Sequence, residues 1–104
     1  MNDGLTPKYR EEIHEILAKA ANIDRAVLYG SRATGSFGRA SDIDLALEGQ
    51  NLDLPDLTLL YGEFDESSLP YKVDLVIRAG IVNPELEKRI KEYGKTFYEK
   101  RTVE

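Results

Sequence analysis

Apolar residues recur at three- and four-residue intervals through Tyr9, Ile13, Ile16, Leu17 and Ala20, which predicts a helix with one buried stripe. Thr6-Pro7 marks its start. A threonine hydroxyl accepts an otherwise orphaned N–H, and proline suits the first helical position. Asn22 is the expected stop. Arg25 to Tyr29 reads as a short buried strand that ends at Gly30, and Ser31 to Ser41 is small, polar and glycine-rich, with Gly35 and Gly38 in a turn. Asp42 to Leu47 alternates, with Ile43, Leu45 and Leu47 on one face and Asp42, Asp44 and Ala46 on the other. A second long helix follows, capped by Asp53 and striped by Leu57, Leu60, Tyr61 and Phe64. Tyr71 to Ile77 predicts a third strand, with Lys72, Asp74 and Val76 on its second face. Asn83-Pro84 opens a last helix, Gly94 fits its C′ position, and Lys95 to Tyr98 suits a terminal edge strand. The order α-β-(Gly loop)-β-α-β-α-(β) predicts an α+β fold with α/β-like character: a small mixed sheet with helices packed on it.

Length and composition narrow the function. A chain of 104 residues with 41% hydrophobic and 32% charged residues is globular, and residues 1–104 are expected to form one domain. The net charge of −5 repels a phosphate backbone, so a long nucleic acid is not an expected partner. No cysteine is present, which excludes a disulfide framework and a thiolate zinc site. The apolar runs are only a few residues long and Met1-Asn2-Asp3-Gly4 has no signal-peptide character. No membrane partner and a cytoplasmic location are expected. His14 lies beside the first apolar stripe and reads as a helix-surface residue rather than a ligand, while Leu59 points away from its helix's stripe. Lys100-Arg101 reads as a solvated tail.

Three features carry chemistry. Asp42 and Asp44 stand at i and i+2 of one strand and point the same way, a few ångströms apart, with no basic neighbour in sequence. A hard divalent cation with oxygen ligands, Mg²⁺ above all, would relieve their repulsion. Asp74 sits among apolar residues of the third strand, where aspartate is disfavoured. If that strand neighbours the second, all three carboxylates can share one metal cluster. Gly30 permits close backbone approach, and Ser31 stands where a short helix can begin and offer N–H groups to a phosphate. Rival motifs fail. Gly30 to Gly35 has P-loop spacing, but Ser36 stands where lysine is needed; an EF-hand loop from Asp42 would need a polar residue at Ala46 and glycine at Leu47. Taken alone, Asp-x-Asp also suits a solvated strand face, and Asp74 could pair with Lys72 or with a helix end.

Gly30-Ser31, ten residues, then Asp42-Ile43-Asp44-Leu45, with Val73-Asp74-Leu75-Val76 later, resembles the signature of the DNA polymerase β-type nucleotidyltransferase superfamily. The fuller strings Tyr29-Gly30-Ser31-Arg32-Ala33-Thr34-Gly35 and Ser41-Asp42-Ile43-Asp44-Leu45 are similar to the minimal nucleotidyltransferases, MNT, which include antitoxins of HEPN/MNT toxin–antitoxin pairs. The resemblance implies an enzyme that moves AMP from ATP to a hydroxyl, a tyrosine of a HEPN RNase toxin. It implies catalytic and metal-binding roles for Asp42, Asp44 and Asp74, two Mg²⁺ ions for which Mn²⁺ can substitute, and a β/γ-phosphate site at Gly30 and Ser31. Arg32 and Arg39 are further candidates for phosphate contact. Two other readings stand beside this one: a non-catalytic module that neutralises a partner by covering it, and a nucleotidyltransferase acting on a small molecule. The sequence leaves homo- and hetero-oligomers equally open.

Overall fold

The computed structural model describes residues 3–100. Helix α1 (Pro7–Ala18) starts as expected, with the Thr6 hydroxyl accepting from the Tyr9 N–H at 3.2 Å. It ends four residues before Asn22. Strand β1 (Ile23–Tyr29) begins two residues earlier than the apolar run suggested, and the one-turn helix α2 (Ser31–Thr34) follows directly. Strand β2 (Ile43–Gly49), helix α3 (Leu54–Asp65) and strand β3 (Val73–Ile77) come next. A single 3₁₀ turn at Arg78–Gly80, which the pattern does not announce, leads to helix α4 (Pro84–Tyr93) and strand β4 (Lys95–Glu99). Arg101, part of the expected solvated tail, and Met1-Asn2 lie outside the described residues. No helix among the described residues is long and apolar enough to cross a membrane.

The four strands form one mixed sheet in the order β3-β2-β1-β4. β1 runs antiparallel to both β2 and β4, whereas β2 and β3 are parallel. Parallel neighbours need a crossover, and α3 supplies it. The main core lies on one face, where α1 and α3 cover Leu28, Ile43, Leu45, Leu47, Val73 and Leu75. On the other face α4 packs Ile90 and Leu86 against Val27, Ala46 and Val76, covering only part of the sheet. The uncovered part of that second face carries the acidic residues.

Three local devices depend on contacts between elements. Gly94 does not take the left-handed conformation of a C′ glycine; its φ is −64°. Glycine is needed there for room, because a Cβ would collide with the Ile90 carbonyl and the Val27 side chain. His14 is half-buried rather than a plain surface residue: its Nε2 lies 2.7 Å from the Phe97 carbonyl, and its ring meets Phe97 edge-on, tying α1 to β4. The edge of β3 is closed by a side chain, since the Tyr61 hydroxyl accepts from the Leu75 N–H at 2.8 Å and reaches the Leu75 carbonyl at 3.3 Å. Leu59 is exposed, as its helical phase predicted.

Candidate active site

The parallel register brings Asp44 opposite Asp74, and the antiparallel register brings Tyr29 opposite Asp44. Adjacent strands are about 4.8 Å apart, so these three side chains form a row across β1, β2 and β3 on the face that α4 leaves partly bare. Asp42 stands just before β2 and, two residues from Asp44, shares its side of the strand. All three aspartates are half-buried, and no lysine or arginine pairs with any of them among the described residues.

The electrostatics follow from this crowding. Burial, then the charges of Asp74 and Asp42, hold the Asp44 carboxyl above its ordinary range. Burial, then the charges of Asp44 and Asp74, push the Tyr29 phenol up to about 12. Sequence reasoning left Tyr29 out of the site. Its only signal was position, as the last strand residue before Gly30-Ser31.

The turn after β1 is fitted to the acidic row. Gly30 has φ +75° and ψ −155°, a region essentially reserved for glycine, and a Cβ there would collide with the Asp44 carboxylate. Gly30 thus lets the chain pass directly against Asp44 and start α2 at Ser31. Gly35 ends α2 in the left-handed conformation, with φ +85°. In the loop that leads back to β2, Gly38 donates its N–H to the Ser41 hydroxyl at 2.7 Å.

The two arginines part company. Arg39 is exposed on the loop and lines a shallow cavity together with Gly4, Arg32, Phe37, Gly38 and Tyr71. Arg32 is 1% exposed, and its guanidinium is engaged with backbone carbonyls. In this placement Nε and Nη2 donate to the Ser41 carbonyl and Nη1 to that of Asp3.

Among the described residues, no three acidic or histidine side chains close into a ready-made metal cage. The donor set still fits Mg²⁺. That ion is held by one or two carboxylates and completes its octahedron with water and substrate phosphates. Carboxylates that face one another without a cation partner among the described residues, beside a glycine turn, meet that description.

The sequence model for "Polymerase beta, Nucleotidyltransferase" matches residues 11–102. The chain belongs to the polymerase beta nucleotidyltransferase family. It is therefore a nucleotidyltransferase, and the mixed sheet with its partly bare acidic face is the family's fold in small form. A Methanocaldococcus jannaschii protein named as a protein adenylyltransferase is 35% identical over 94 residues, covering 82% of this chain and 94% of that protein. A crystal structure of a toxin–antitoxin with AMP-PNP contains a chain of 26% identity that superposes with a TM-score of 0.72, covering 88% of this chain and 74% of that one. A chain from a mutant of the toxin–antitoxin MntA-HpeT, 22% identical, superposes with a TM-score of 0.70 over 88% of this chain and 74% of that one, a likeness of fold.

Proposed function

We propose that this chain is a Mg²⁺-dependent adenylyltransferase that moves AMP from ATP to a tyrosine hydroxyl of a HEPN-type toxin and so acts as its antitoxin. The observation that carries the reading is the row Asp44–Asp74 lying in register, directly against the Gly30-Ser31 turn. The protein-adenylyltransferase name of one relative and the toxin–antitoxin and AMP-PNP of a structural neighbour support it.

Each residue has a role in this reading. Gly30 and Ser31 receive the β- and γ-phosphates, where only a glycine lets the backbone come close. Arg39 reaches the triphosphate from the loop. Asp42 and Asp44 would hold both metal ions, and Asp74 would complete the one on the acceptor side. When bound, the metal neutralises the three carboxylates and the triphosphate and favours the deprotonated acceptor. The acceptor oxygen attacks the α-phosphorus, the bond from that phosphorus to the β-phosphate oxygen breaks, pyrophosphate leaves, and the hydroxyl proton passes to Asp74. The net charge of −5 disfavours RNA as acceptor, and a docked partner supplies orientation that this short chain need not encode.

Labelled ATP and Mg²⁺ are offered to a mixture of RNA, tRNA and the protein encoded next to this one. Label on a partner tyrosine, absent with Asp42→Asn, is the expected result. Label on RNA alone would overturn the choice of acceptor. Toxin neutralisation that persists in Asp42→Asn would favour a covering module over catalysis.

A further inference from the structure

Arg32 is a cation buried without a carboxylate partner among the described residues. Such a group is costly unless its donors are used, and here they are. Nε and Nη2 converge on the Ser41 carbonyl at 3.1 and 2.9 Å, and Nη1 donates to the Asp3 carbonyl at 2.8 Å. The guanidinium also lies 4.3 Å from the centre of the Tyr71 ring and 5.3 Å from that of Phe37. Two of the groups it touches belong to segments that lead into the acidic row. Ser41 is bonded to Asp42, Tyr71 leads into β3 and its Asp74, and Arg32 itself follows Ser31.

We propose that Arg32 is a positioning residue for Asp42, fixing it by clamping the carbonyl of Ser41, and that the segment around Asp3 is the clamp's far jaw. The side chain's chemistry fits the task. A planar fork can set two donors on one carbonyl and a third on another, which the single ammonium of lysine cannot do. The far jaw is itself anchored. Asp3 is 2% exposed, its carboxylate pairs with Arg10 and accepts from the Leu5 N–H at 3.0 Å. Arg10 in turn lies 4.8 Å from the Phe97 ring of β4. Gly4 passes against the clamp with φ +78°, and a Cβ there would come within 2.5 Å of the Phe37 ring and 2.8 Å of Nη1. Asp42 thus depends on a segment more than 35 residues away in sequence that contributes no ligand to the site.

This inference rests on Asp42 as a metal ligand, so the test separates the two. Mn²⁺ is titrated by electron paramagnetic resonance into wild type, Asp42→Asn, Arg32→Lys and the double variant. The ¹³C shift of the Ser41 carbonyl is read in the metal-free proteins. Arg32→Lys should weaken Mn²⁺ binding by about 10- to 100-fold, the usual effect of losing a group that orients a ligand. It should weaken the residual affinity of Asp42→Asn no further, and it should move the Ser41 carbonyl upfield without metal. Wild-type Mn²⁺ affinity in Arg32→Lys, with Asp42→Asn impaired, overturns the positioning role. So does an equal loss in both backgrounds, which would mark Arg32 as a general structural group. Wild-type affinity in Asp42→Asn overturns the ligand reading instead, and an unmoved Ser41 carbonyl in Arg32→Lys then overturns the clamp by itself. If Arg32→Lys fails to fold, Gly4→Ala presses on the same Nη1 and is held to the same outcomes.

Discussion

Replacing Gly30 by alanine is expected to destabilise the protein and to disarm the site through one steric contact. Two costs can be separated. The first is backbone: at φ +75° and ψ −155° an L side chain is forced into a region that costs about 1–3 kcal/mol. For a chain of this size each kcal/mol moves the melting temperature by about 4–8 °C, so a fall of roughly 5–20 °C follows from strain alone. The second is the collision of the new Cβ with the Asp44 carboxylate, which must swing out of the acidic row. Gly35→Ala is the control, because Gly35 has a positive φ of 85° but nothing within 4 Å of an added Cβ. It should lose about 1–2 kcal/mol, as a left-handed L residue does, and keep the wild-type response to Mg²⁺. Thermal denaturation with and without Mg²⁺ reads both quantities. The collision is isolated by repeating Gly30→Ala in an Asp44→Ala background, where coupling between touching residues should shrink its cost by about 0.5–3 kcal/mol. An identical cost in both backgrounds, or a wild-type melting temperature for Gly30→Ala, would refute the reasoning.

Asp44→Asn should stabilise the metal-free protein at neutral pH. The carboxyl titrates above its ordinary 3.8 in the folded state, so the native state binds its proton more tightly and stability from this group is lost as pH rises past that value. Melting curves should therefore show the gain at pH 7 and its disappearance below about pH 3.8; a gain independent of pH would mean the carboxylate repulsion is not its cause. In a spectrophotometric titration of metal-free protein, the Tyr29 phenol should ionise near 12, and lower in Asp74→Asn, since the Asp74 charge is one of the groups that raise it. Tyr61→Phe strips the β3 edge of its hydroxyl partner and leaves the half-buried Leu75 N–H unsatisfied, which should cost about 1–3 kcal/mol in a urea melt. Amide exchange at Leu75 should speed up in the same variant while β1 stays protected.

The order of elements was legible because it depends on periods of two and three to four residues and on caps beside them. Thr6, Pro7, Asn83 and Pro84 act on their own turns, and the alternation from Ile43 to Leu47 puts Asp42 and Asp44 on one side whatever the rest of the chain does. The Gly30-Ser31 turn was legible for the same reason. What the sequence by itself does not determine is pairing across distance. Asp44 meets Asp74 because α3 returns the chain for a parallel β3 beside β2, in a register set by packing Ile43, Leu45, Val73 and Leu75 into one core. Tyr29 joins the row only through the antiparallel register of β1 with β2. Arg32 is the sharpest divergence. In a polar, glycine-rich loop an arginine reads as a solvated charge ready for phosphate. Tertiary structure turns it inward, because the carbonyls of Ser41 and Asp3 and the rings of Tyr71 and Phe37 converge on one spot from three separate segments. Gly94 teaches the same lesson at smaller scale. Its identity suited a helix end, but the reason for it is the Val27 side chain and the Ile90 carbonyl pressed against it. Local patterns decide what each segment becomes; which side chains meet is decided by the one packing that buries all the apolar faces together.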